Sequence, residues 1–216
     1  PGWGIRRTVL HQALLARADE LGVEHRHQRV TSVTQTAAGV QLQTDNSELD
    51  ADWLIAADGL RSPIRRNLGL DLPARRPPRT GLRRHYQVAP WSNHVEVHWS
   101  PVSEAYITPE ASDLIGLAIL TGPAGLAAHP ADGRPIYDRL MDDFPALKAR
   151  LGEPCTAVRG AGPFEVRAKR HVEGRIFLVG DASGFVDPLT GEGITLGLGC
   201  AEAAIRAIQQ QRPQQY

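Results

Sequence analysis

The stretch GRIFLVGDASGFVDPLTGEGITLGLG, Gly174 to Gly199, constrains the fold more than any other part of the chain. Ile176 to Val179 are four consecutive apolar residues, mostly β-formers, which suits a strand buried on both faces. The run stops at Gly180-Asp181, crosses a turn carrying Asp187, Pro188, Gly191 and Gly193, and enters a second apolar segment. There positions 194, 198, 201, 205 and 208 recur at three- and four-residue steps, predicting a helix with its N-terminus at Gly191-Glu192-Gly193 and an apolar face along those positions. Such a unit is strand, carboxylate, glycine-rich turn, helix. Trp53 to Ala57 repeats its first half, a continuous apolar run that ends in Asp58-Gly59. Two strands ending this way belong to an α/β sheet whose ligands bind in a crevice beyond the carboxyl ends of the strands.

The chemistry of these ends follows from the residue types. A short carboxylate at Asp58 or Asp181 can accept hydrogen bonds from vicinal hydroxyls, as on a ribose or ribitol chain, and the adjacent glycine lets the backbone come close. Each Asp can equally cap its own turn. Between Pro188 and Gly193, two glycines and a helix start gather backbone N–H groups and the positive end of a helix, a place for an anion or an electron-rich ring edge.

Elsewhere, Val9, Leu10, Ala13, Leu14, Ala18 and Leu21 trace one helical face ending at Gly22. Val30–Val33 and Val40–Thr44 read as strands, with a hairpin turn at Asp45-Asn46-Ser47 before Leu49. The stretches 94–99, 105–108 and 114–120 predict an antiparallel sheet, and Ile136, Leu140, Phe144 and Leu147 predict one helix over about 135–151. The expected organisation is an α/β domain over 1–79, an inserted antiparallel β-sheet region over 80–130 that takes the substrate, and a return to the first domain over 131–216.

With 24 basic and 24 acidic residues among 216, no global field draws the chain to nucleic acid. Eight arginines between Arg61 and Arg84 face one acid, Asp71, which reads as a solvated loop or as a contact for a phosphate-bearing ligand. A non-catalytic nucleic-acid binder using that segment is the reading the neutral total disfavours. Two cysteines without CxxC spacing indicate neither a disulfide framework nor zinc, and no apolar run approaches the roughly 20 residues of a membrane span. A cytoplasmic protein is expected. Pro1 and the immediate entry into a helix lead us to expect the later part of a longer chain. Gly2-Trp3-Gly4 and Gly197-Leu198-Gly199 lack the strand and third glycine of a dinucleotide fingerprint. His94, Glu96 and His98 could share a strand face as metal ligands, but with no further ligand the expectation is no metal, and Val95, Val97 and Trp99 are expected to face the core.

Three segments in order, Arg7 to Ala18, Leu54 to Ser62 and Gly174 to Gly199, resemble motifs of the group A FAD-dependent oxidoreductases. This family of monooxygenases is p-hydroxybenzoate hydroxylase-like and related to the geranylgeranyl reductases. The resemblance implies an FAD-binding Rossmann-like three-layer domain, here partial, because the N-terminal GxGxxG unit that holds the ADP half of the cofactor is missing. It implies FAD as cofactor, NAD(P)H as electron donor and a small-molecule substrate, with no nucleic acid, no integral membrane segment and no indication of oligomeric state. It places Arg7 at the pyrophosphate, the backbone of Val30 beside adenine, Asp58 and Gly59 by the pyrophosphate, and Gly180 and Asp181 at the ribitol chain. Pro188, Gly191, Gly193 and Ile194 would lie along the pyrimidine edge of the flavin. Family members of the hydroxylase type often carry a histidine after Gly-Asp-Ala-(Ala/Ser); here Gly184 follows, and Phe185 to Gly193 is worded more like a geranylgeranyl reductase. Monooxygenation of a small apolar or aromatic molecule is the first expectation and reduction of an isoprenoid double bond the alternative. The resemblance names no catalytic acid or base; His85, His98 and Tyr106 are candidates for the pocket.

Overall fold

In a computed structural model, which describes residues 4–216, the chain forms two compact units, one made of the residues up to His25 with Pro77–Pro163, the other of Arg26–Arg76 with Phe164–Tyr216. Residues Gly2 and Trp3 of the first discarded glycine motif lie outside the described residues. In chain order the elements are α1 (Arg7–Glu20), β1 (Val30–Gln35), β2 (Val40–Thr44), β3 (Glu48–Ala51), β4 (Leu54–Ala56), α2 (Pro63–Asn67) and β5 (Asp71–Leu72). Then come β6 (Thr80–Gln87), β7 (Glu96–Trp99), β8 (Ser103–Ala111), β9 (Leu114–Thr121), α3 (Pro123–Ala128), α4 (Ile136–Leu140) and α5 (Pro145–Lys148). The last are β10 (Glu153–Pro154), β11 (Arg159–Ala161), β12 (Val166–Ala168), β13 (Val172–Glu173), β14 (Ile176–Leu178), β15 (Gly184–Phe185) and α6 (Gly193–Gln209).

The second unit is built in three layers around β14. Antiparallel β1–β2–β3 forms the first layer, and β13–β14–β4 the second. Ile176 and Leu178 pack toward Val40 and Leu42, whereas Phe177 and Val179 point the other way, onto Ala204 and Ala207 of α6. Period-two alternation thus delivers one side chain set to each neighbour, and both sets are fully enclosed, as the unbroken apolar run predicts. Strand β4 runs parallel to β14, Leu54 opposite Ile176 and Ala56 opposite Leu178.

α6 departs from its predicted face. Ile194, Leu198 and Ile205 stand outward, Leu198 with 57% of its surface exposed, and the inward stripe is Gly197, Cys200, Ala204 and Ala207. Small residues face in because the helix sits almost in contact with the turn after β14: a Cβ on Gly180 would lie 3.5 Å from the Cα of Gly197. On α1 the expected face is only partly covered, at Leu10 and Ala18. Its Gly22 ends the helix as expected, with φ +71°, its N–H bonded to Asp19 and that of Val23 to Ala18, yet no residue of α1 is buried, and Val9, Leu14 and Leu21 are exposed.

In the first unit, β10, β6, β9, β8 and β7 lie side by side in that order, with β11 also on β6. Leu82 and Tyr86 of β6, Ile115, Leu117 and Ile119 of β9, and Ala105 and Ile107 of β8 share one face and pack on Tyr137, Leu140, Phe144 and Leu147. The single helix expected over 135–151 is broken: Phe144 leaves helical geometry at φ −124° and ψ 58°, because Pro145 disfavours helical backbone before it and offers no N–H. Burial pushes the Tyr137 hydroxyl far above the ordinary tyrosine range; it lies 3.3 Å from the Tyr86 hydroxyl.

Strand β7 reverses the predicted orientation. Val95, Val97 and Trp99 are exposed, Trp99 by 65%, while Glu96 and His98 turn to the helix-bearing side, 3.2 Å apart. The Trp91 indole N–H donates to Glu96 (3.0 Å) and, with His98, holds its carboxyl below the usual range. Among the described residues no group of three His, Cys, Asp or Glu comes together that could hold a metal ion. No helix among them is long and apolar enough to cross a membrane.

The arginine-rich segment is not one loop. It contains α2, β5 and β6 and is divided between the units. Its guanidinium groups go separate ways: Arg79 pairs with Glu104 at 2.7 Å, Arg84 lies over the Tyr137 ring, and Arg65 is buried.

Candidate functional site

Parallel pairing brings Asp58 and Asp181 to the same end of the sheet, each just beyond the last paired residue of its strand. The pairing continues one step further, Val179 N–H donating to Ala56 (3.0 Å), so the two turns leave the sheet side by side. The two apolar runs that end in an acid thus bring their carboxyl ends together, the place where a ligand of an α/β sheet is expected.

The turn after β4 is a compact cap. Asp58 Oδ2 accepts the N–H of Ile64 at 3.1 Å, and Ser62 Oγ accepts that of Arg65 at 2.9 Å, so both satisfy the start of α2, with Pro63 at its first position. Gly59 adopts φ +80°, a left-handed conformation, with nothing within 4 Å of where a side chain would begin. Asp58 is therefore a turn cap in this fold, whatever else its carboxylate holds.

The turn after β14 is a short 3-10 helix, Gly180–Ala182, in which Ser183 closes back on the Gly180 carbonyl through both its N–H (2.9 Å) and its hydroxyl (2.7 Å). Asp181 is half-buried there. A second 3-10 turn, Pro188–Thr190, follows, and the Gly191 N–H donates to Pro188 (3.1 Å) with Gly191 at φ +69°. α6 then begins at Gly193. Its N-cap, Glu192, makes no side-chain cap, and no acid occupies the first turn, so the positive end of a 17-residue helix is not neutralised by its own side chains. Phe185 lies 3.7 Å from the position a Gly193 side chain would take and pairs with Phe164 at a centroid distance of 5.4 Å.

One residue ties the two turns together, and the sequence reading passed it over. Arg65 is 3% exposed; its guanidinium donates to Leu60 O (3.0 Å) after β4, to Ala182 O (2.8 Å) after β14, and to Asp71 Oδ1 (2.5 Å). Only a planar group with five donors can serve three acceptors in three directions. The signal available in the sequence was Ser62-Pro63, a helix start that puts Arg65 one turn from Asp58.

Of the other predicted residues, Val30 opens β1, half-buried against the cluster containing Val40 and Leu42. It belongs to the same unit as Asp58 and Asp181. Arg7 is the first residue of α1, an exposed position in the other unit.

A family model described as "FAD binding domain" matches residues 4–111. Among curated relatives, the chain is 30% identical over 207 residues to a dialkyldecalin synthase of Streptomyces rugosporus, covering 91% of this chain and 43% of the relative. It is 27% identical to digeranylgeranylglycerophospholipid reductase 2 of Methanopyrus kandleri (97% and 57%) and 29% identical to the ubiquinone hydroxylase UbiL of Rhodospirillum rubrum (98% and 50%). The chain spans about half the length of these relatives. A flavoprotein/dehydrogenase from Cytophaga hutchinsonii superposes with a TM-score of 0.84 at 18% identity, over 98% of this chain and 56% of that one, a likeness of fold.

Proposed function

The chain belongs to the FAD binding domain family, and from that premise we propose that it is part of an FAD-dependent oxidoreductase, most specifically a monooxygenase of a small apolar or aromatic molecule with NAD(P)H as electron donor. The observation that carries the proposal is the pair of carboxylates at the ends of adjacent parallel strands, beside a helix start whose N-cap residue, Glu192, makes no side-chain cap. The residues fit the cofactor. Gly59 and Gly191 leave open backbone where a side chain would stand, and Gly180 lets the turn lie flat on α6. Bound FAD would supply hydride acceptance and, once reduced, reaction with dioxygen.

The protein's part is to bind and orient. The Asp181 carboxylate would accept hydrogen bonds from the ribitol hydroxyls. The backbone between Pro188 and Ile194, with Gly191 and Gly193 at the start of α6, would offer N–H groups and the positive end of the helix to the electron-rich edge of the ring. Asp58 and Gly59 would lie by the pyrophosphate, with the Val30 backbone beside adenine.

A second reading is favoured by the Phe185 to Gly193 wording and by the reductase relative: saturation of an isoprenoid double bond. The two separate on oxygen. Monooxygenation predicts substrate-dependent oxygen uptake by the full-length protein, reduction predicts turnover without it.

Replacement of Asp181 by Ala tests the cofactor assignment. Loss of hydrogen bonds to a charged group, about 1.5–3 kcal/mol, lowers FAD affinity roughly ten- to hundredfold when FAD is titrated into refolded full-length apo-protein. A change below about twofold removes Asp181 from the flavin site.

A further inference from the structure

In the first unit the sheet has a second face, turned away from Tyr137 and Leu140, and on it β6, β8 and β9 bring together His85, Glu110 and Gly116. His85 stands opposite Gly116 across the β6–β9 ladder, and Thr108 opposite the same glycine across β8–β9. A break in register between Pro109 and Ala111 puts Glu110 on this face. Its carboxylate lies over Gly116, where an added Cβ would meet Oε1 at 2.5 Å.

Oε1 is 3.3 Å from His85 Nε2. His85 Nδ1 is 3.1 Å from Thr156 Oγ1, and that oxygen also accepts the His85 backbone N–H at 3.0 Å. An imidazole with its proton on Nε2 satisfies each of these contacts: Nε2–H donates to Glu110, and Nδ1 accepts from the Thr156 hydroxyl. Arg83 stands at the edge, Nη1 3.5 Å from Nε2, a contact that in this tautomer is not a hydrogen bond, since both groups are donors. The other carboxylate oxygen, Oε2, is buried in a side chain only 10% exposed and has no hydrogen-bond partner. A carboxylate oxygen in that state costs stability unless a donor reaches it. The terminal torsion of a glutamate is soft, so a donor can be met without moving the backbone. Beside the pair lie Ala118 and, opposite it, Tyr106, both half-buried.

We propose that Glu110, steadied by His85 and Thr156, is a specificity-determining group that accepts a hydrogen bond from a hydroxyl or N–H of a small molecule whose flat apolar body lies along Ala118 and Tyr106. A site that holds a buried acceptor in waiting discriminates strongly against an isostere that cannot donate. Identifying that molecule as the enzyme's substrate rests on the flavin reading; the site itself does not.

The test uses phenol and fluorobenzene, similar in size and differing in the donor, titrated into FAD-free protein while the ring resonances of His85 are followed by NMR. Phenol should give a saturable shift and bind at least about tenfold more tightly than fluorobenzene. Glu110→Gln should bring the two within about threefold. Gly116→Ala should do the same by displacing the carboxylate with its charge intact, and it decides the matter where Glu110→Gln does not fold. Equal binding of the two probes, no saturable shift with phenol, or a preference that survives both substitutions assigns Oε2 to water and overturns the proposal. Because no flavin is present, a negative result for Asp181→Ala leaves this one untouched.

Discussion

Replacing Arg65 by Leu is expected to destabilise the second unit by about 3 kcal/mol, the lower part of the range for breaking a buried charged network. The loss has three sources. The Leu60 and Ala182 carbonyls each give up a charged donor, and Asp71 loses its partner at 2.5 Å. Asp71 is 43% exposed and recovers part of its share from water, which is why the figure stays at the low end. Arg65→Lys should restore less than half, since an ammonium cannot serve acceptors that diverge in a plane. Urea unfolding of the three proteins reads these differences, and a Leu variant within about 1 kcal/mol of wild type would mean that water replaces the guanidinium. The same substitution frees the turns of Asp58 and Asp181 from each other, so a fall in FAD affinity should accompany the fall in stability.

Phe177→Ala should cost more, about 3–5 kcal/mol, the range for removing an enclosed aromatic side chain. Phe177 is fully buried, its ring 5.8 Å from that of Trp53 and 5.3 Å, edge-on, from that of Tyr216. Tyr216 cannot move in to fill the space without giving up its hydrogen bond to the Leu178 carbonyl (2.7 Å). A stability of about 5–15 kcal/mol is typical of a domain, so this one change removes a large fraction of it. Phe177→Leu, which keeps most of the volume, should cost about 1.5 kcal/mol or less. If both variants unfold at the same urea concentration as wild type, α6 does not depend on β14 for its seat.

These two residues also show what could be read from the chain and what could not. Ile176 to Val179 announce a strand enclosed on both sides, because an unbroken apolar run has no face to give to water; Trp53 to Ala57 read the same way, yet Leu54 and Ile55 are only half-buried and Ala57 is exposed. Their carboxyl-end acids then locate the crevice. Arg65 gave no such sign: a charged residue is buried only when acceptors distant in sequence converge on it, and Ala182 is one of them. Strand β6 was hidden for the same reason, its arginines reading as a solvated loop until Asp138 and Tyr137 supply partners for Arg84. α6 misled through size. Its large aliphatics form the more regular pattern, yet contact with the turn at Gly180 selects the face with the least bulk. The capping role of Asp58 was visible as one of two options, and Ile64 supplies the donor.

Strand β4 meets β14 only after the chain has left the second unit, built the antiparallel sheet of the first, and returned. The hairpins β1–β2 and β8–β9 close over short loops, whereas the parallel pair must recruit a partner from far along the chain, at a much greater cost in loop entropy. The two carboxylate turns should therefore come together later than those hairpins form. Pulse-labelled hydrogen exchange should find the Leu117 amide protected before that of Val179, whose bond to Ala56 joins the strands. During synthesis the Asp58 turn waits, without its neighbour, until β14 has been made, and a cofactor that needs both turns can be held only after that.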